Sequence, residues 1–67
     1  MLQGYELWLV DRQGRRAFRP AAAADVPEVI DAARRLLASD ASLREVDIDV
    51  GGRRLVTLES EARTPDA

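Results

Sequence analysis

The sequence contains no cysteine, histidine, lysine or asparagine, and only one each of phenylalanine, tryptophan and tyrosine. Without cysteine, neither a disulfide nor a thiolate metal site can supplement the hydrophobic core. Without histidine, cysteine or lysine there is no conventional triad, no thiolate nucleophile and no Schiff-base amine, so the chain reads as non-enzymatic. Its apolar runs are too short to span a bilayer. The amino-terminal residues lack the basic-then-apolar order of an export signal. The expected setting is cytoplasmic, and no membrane, cofactor, resident metal or small-molecule substrate is expected.

What is present allows one domain at most. The chain has 67 residues, and a chain of this length buries only about 60% of the surface its unfolded form exposes. Hydrophobic residues make up 46% of it, but eleven of them are alanines with little apolar area to bury. So thin a core makes association, as a homodimer or with another protein, the expected remedy. All ten basic residues are arginine, which together with the abundant alanine reads as a GC-rich coding bias rather than a demand for guanidinium chemistry. The net charge of −2 opposes any whole-domain attraction to nucleic acid.

The pattern along the chain alternates between two periods. Tyr5 to Val10 is a strand rich in aromatic and branched residues, and Asp11-Arg12-Gln13-Gly14 is a polar turn. Arg15 to Arg19 is the returning arm, expected on a sheet edge and closed by Pro20, with Ala21 to Ala24 as a connector. A four-residue loop sets Leu9 opposite Arg16 and Leu7 opposite Phe18, with Trp8, Val10 and Ala17 on the other face. Asp25 and Glu28 form a capping-box-like start with Pro27 in the first turn. Val26, Val29, Ile30, Ala33, Leu36 and Leu37 then recur at helical spacing, so Asp25 to Ser39 is a helix.

Beyond Asp40-Ala41-Ser42, alternation returns. Arg44, Val46, Ile48 and Val50 share one side of a strand and Glu45, Asp47 and Asp49 the other. Gly51-Gly52 turns the chain into Arg53 to Glu59. A two-residue turn sets Ile48 opposite Leu55. A three-residue turn with a glycine bulge sets it opposite Val56 and is preferred, because it gathers Val46, Ile48, Val50, Val56 and Leu58 on one face. The expected fold is α+β of order ββαββ, a four-stranded, mostly antiparallel sheet with one helix on one face. The domain covers residues 1–59, and residues 60–67 are expected to be a disordered tail. The order, with an acidic alternating strand ending in glycine before Arg54-Leu55-Val56-Thr57-Leu58, resembles small bacterial domains of the same layout. That resemblance rests on no diagnostic motif and implies no activity.

Four constellations invite chemistry. Asp47 and Asp49 project from one strand face roughly 7 Å apart, close enough to share a cation, yet nothing nearby completes an oxygen cage; a solvated face explains them better. Gly51-Gly52 lacks the longer glycine spacing and following helix of a phosphate loop, so it is a turn. Arg12, Arg15, Arg16 and Arg19 around Trp8 suggest a single-stranded nucleic-acid surface, against which stand the lone tryptophan and the interspersed acids. The fourth carries the leading expectation. One helix covers one sheet face, which leaves Trp8, Val10, Ala17 and Leu55 as an apolar strip rimmed by Arg15, Arg19 and Asp47, an association surface for a second copy or another protein. Edge-strand pairing between copies is the other expected route.

Overall fold

The structure, a computed structural model, describes residues 1–61. Its helix, α1, runs over Val26–Ser39 and begins where the cap residues require. Asp25 is extended, and its carboxylate accepts the Glu28 N–H at 3.0 Å. The Glu28 carboxylate reaches back to the Ala24 N–H, one residue ahead of the group a capping box uses. Val29, Ala33 and Leu37 form the buried stripe, with Ile30 and Leu36 packed at its flanks. The helix stops at Asp40, whose N–H bonds to the Leu36 carbonyl. The Asp40 carboxylate is held below the usual carboxylate range by hydrogen bonds from the Ser42 hydroxyl and the Ser42 N–H.

Four strands precede and follow the helix: β1 (Gln3–Asp11), β2 (Arg16–Ala23), β3 (Leu43–Val50) and β4 (Arg53–Glu59). They lie in the order β2-β1-β3-β4, every neighbouring pair antiparallel, so the fold is ββαββ with the helix against one face. Tyr5, Leu7, Ala23, Leu43, Val46 and Ile48 meet the helix stripe in one core, and Leu9, Ala21, Val50, Val56 and Leu58 pack around it. The helix lies mainly over β2 and β3.

The first hairpin departs from the sequence reading in two respects. Its loop is three residues, not four: Asp11 and Arg15 close it through the Asp11 N–H and Arg15 carbonyl at 2.9 Å, and Gly14 takes a φ of 84°, the left-handed position of such a loop. The register therefore moves by one, pairing Trp8 with Phe18, Leu9 with Ala17 and Val10 with Arg16. Secondly, β2 does not stop at Pro20 but runs through Ala23, which is buried under the helix. Counting by twos from the Asp11–Arg15 bond, Pro20 falls at a position whose N–H would point away from β1. Its missing donor therefore costs the ladder nothing on this edge strand.

The second hairpin combines the two readings of its turn. Gly51 and Gly52, at φ 58° and 80°, make a two-residue turn that pairs Val50 with Arg53. The register then shifts at Leu55, beyond which Ile48 pairs with Val56 and Val46 with Leu58. The extra residue is absorbed by a bulge inside β4 rather than by a glycine at the turn, and the apolar grouping favoured from sequence results. Ser60 continues the ladder through its N–H to the Arg44 carbonyl at 2.9 Å, so the expected tail does not begin at Ser60. The rest of that tail, residues 62–67, lies outside the described residues.

Candidate functional site

The sheet face turned away from the helix is built in three cross-strand rows, each spanning all four strands. Pro20, Glu6, Asp49 and Arg54 form the first, Phe18, Trp8, Asp47 and Thr57 the second, and Arg16, Val10, Glu45 and Glu59 the third. The alternation of a strand puts these side chains on one side, and the register aligns them.

The middle row holds the face together. Asp47 is buried, and its carboxylate accepts the Thr57 hydroxyl at 2.9 Å. The Arg54 guanidinium lies 3.4 Å from it and that of Arg16 3.8 Å. Arg54 also binds Asp49, and that bond is the main reason its guanidinium holds its proton more tightly than usual. Beside Asp47 the Trp8 and Phe18 rings meet at 5.2 Å between centroids with a 54° tilt. The Arg16 guanidinium sits over the indole, 4.8 Å from the ring centroid.

The third row carries strain of charge. Burial of Glu45 raises its carboxyl above the usual glutamate range, and the neighbouring carboxylates of Asp47 and Glu59 push in the same direction. Arg44, 3.9 Å away, opposes them without prevailing. Among the described residues, the carboxylates of Glu6, Glu45, Asp47, Asp49 and Glu59 stand on this face against the guanidiniums of Arg16 and Arg54.

The expected apolar strip is accordingly redrawn. Trp8 and Val10 lie on this face, but Val10 is buried and Trp8 is half-buried beneath Arg16 and Phe18, so the indole does have shelter within the chain. Ala17 does not belong to the strip. The one-residue shift turns it to the helix side opposite Leu9 and brings Phe18 onto the outer face instead. Arg19 likewise moves to the helix side, where it shares a groove with Leu7, Ala21, Arg35 and Leu36. Arg15 remains at the turn, paired with Asp11 at 3.1 Å, and that aspartate is kept below its usual range chiefly by the Arg15 N–H. Asp47 lies at the centre of the face rather than on its rim. Leu55, at the bulge, is 42% exposed.

The four arginines of the nucleic-acid reading are dispersed by the same geometry. The Arg12 side chain donates to the Ala41 carbonyl at 2.9 Å, Arg15 faces Asp11, Arg16 covers Trp8 and Arg19 is on the opposite side. Asp47 and Asp49 share Arg54 as counterion, and among the described residues no cluster of three ligating side chains stands ready for a metal.

Phe18, Glu6, Glu45 and Arg54 were not among the site residues expected from the sequence. The signal for Phe18 was the glycine at the fourth position of Asp11-Arg12-Gln13-Gly14, which suits a three-residue loop closed by a left-handed glycine. On the helix side, a cavity of about 620 Å³ separates α1 from the β4 edge, lined by Arg34, Leu37, Ala38 and Leu58 among others. No protein-family model, curated protein or solved structure matches the chain.

Proposed function

We propose that the chain is a self-associating interaction module in which β4 of one copy pairs antiparallel with β4 of a second, joining two sheets edge to edge. The observation that carries this reading is the difference between the two edges. On β2, Pro20 interrupts the row of outward N–H groups. On β4, counting from the Ser60–Arg44 bond, Thr57 and Glu59 direct their peptide groups away from β3, and among the described residues nothing receives them.

The strand is also complementary to itself. An antiparallel two-fold axis at Thr57 sets Val56 of one copy against Leu58 of the other. Both are half-buried at the margin of the core, so the apolar row would continue across the junction. The same axis brings the Arg53 end of each strand beside Glu61 of its neighbour, an opposite-charge meeting made twice. Association through the outer face is disfavoured, because two copies would bring together surfaces that each carry an excess of carboxylates.

Sedimentation equilibrium over a range of concentrations tests the proposal, with Glu59→Pro as the diagnostic variant. The N–H removed points away from β3, so the fold, followed by circular dichroism, is expected to persist while the dimer dissociates. A wild-type chain that stays monomeric throughout, or a folded Glu59→Pro chain that stays dimeric, would overturn it.

A further inference from the structure

We propose that the outer sheet face docks an arginine-bearing, net-cationic segment of another protein, seating a guanidinium between the Phe18 ring and the Glu6 carboxylate. The protein already performs this recognition once within itself, since Arg16 lies over Trp8 and beside the Asp47 carboxylate. The neighbouring positions offer the same chemistry with the cation lacking. Glu6 is half-buried and, among the described residues, has no ion-pair partner. Phe18 is the residue diagonal to it across β1 and β2, a separation of about 7–8 Å that a flat guanidinium with its hydrogen-bonding edge can bridge. Phe18 is 51% exposed although its other side is packed against Trp8, so an aromatic surface is held in place and left open.

Charge selects the occupant. Among the described residues, five carboxylates face two guanidiniums here, and both of those guanidiniums are engaged, Arg16 by Trp8 and Asp47 and Arg54 by Asp47 and Asp49. Arg12 and Arg44 lie beyond Glu45 and Glu59 at the opposite end of β1 from Glu6. Glu45 is hindered from ionising first by its burial and then by the neighbouring carboxylates of Asp47 and Glu59, so negative charge is already crowded at that end of the face. A nucleic acid or a second outer face would add to the surplus, whereas a cationic segment relieves it.

Fluorescence anisotropy of a short labelled peptide of alternating arginine and glycine, compared with the same peptide bearing glutamate for arginine, tests the docking surface. Saturable binding of the arginine peptide alone is expected, weakening with salt. Phe18→Ala and Glu6→Gln are each expected to loosen it about two- to fivefold. Asp31→Asn, which removes the same charge from the exposed helix surface, is expected to leave it unchanged. Absence of saturable binding, equal binding of the glutamate peptide, or equal loosening by Asp31→Asn and Glu6→Gln would each overturn the proposal. So would binding indifferent to both Phe18→Ala and Glu6→Gln in chains whose circular dichroism is unchanged.

Discussion

The Arg16 guanidinium lies over the Trp8 indole at 4.8 Å from its centroid and reaches Asp47 at 3.8 Å, so one side chain of the edge strand β2 bridges two central strands. A flat cation fits this place because one of its faces can meet a ring while its edge donates to a carboxylate. The consequence is a sheet face that no helix of the described residues covers yet that keeps its largest aromatic half out of water.

Arg16→Gln removes the cation from above the ring. Because Trp8 is the only tryptophan, its emission reports the change directly. A red shift of the emission maximum and a loss of about 0.5–1 kcal/mol in urea unfolding are expected. An unshifted spectrum with an unchanged midpoint would show that Arg16 does not shelter the indole.

Asp47 is the acceptor on which Thr57, Arg54 and Arg16 converge, and it is only 5% exposed. Asp47→Ala leaves the Thr57 hydroxyl without that acceptor and removes a shared counterion from two guanidiniums. The expected destabilisation is about 1–3 kcal/mol, read from chemical denaturation. Thr57→Val, which removes a neutral hydroxyl that donates to Asp47 and accepts a longer bond from Arg54 but leaves the charges in place, is expected to cost about 1 kcal/mol. A loss at Asp47 no larger than that at Thr57 would place the arginines outside the energetics of the face.

Glu45 makes stability depend on pH in the less familiar direction. Its folded-state pKa is raised, first by burial and then by Asp47 and Glu59, so the native state holds its proton more tightly than the unfolded chain does. The stability it contributes is complete below the ordinary glutamate value of roughly 4.3 and is lost as pH rises through the higher folded value. Glu45→Gln, which cannot ionise, is therefore expected to gain on the wild type across that interval and to hold a constant advantage at neutral pH. Thermal melts of both chains between pH 4 and pH 7, on the order of one melt per half unit, measure this difference. A difference that does not vary with pH would remove Glu45 as its source.

Much of this architecture was legible along the chain because it depends on interactions between near neighbours. The cap at Asp25 and Glu28, the stripe Val29, Ala33 and Leu37, and the alternation of Val46 and Ile48 with Asp47 and Asp49 each follow from a local period and a local hydrogen bond. The Gly51-Gly52 turn is of the same kind, since its two positive φ angles suit glycine whatever surrounds them. These features determined the order ββαββ and which side of β3 meets the helix.

The outer face was decided at a distance. A strand has a side-chain period of two, so closing the first hairpin with three loop residues instead of four exchanged Ala17 and Arg19 for Phe18 and Arg16 on that face. The bulge at Leu55 likewise restored the pairing of Val56 and Leu58 after a turn that alone would have reversed it. Local composition can name a turn, but the cross-strand rows depend on a residue count summed around each loop and on the packing that rewards one count over the next. The order of residues thus settled what the elements are, and the assembled sheet settled which charges and rings meet on its open side.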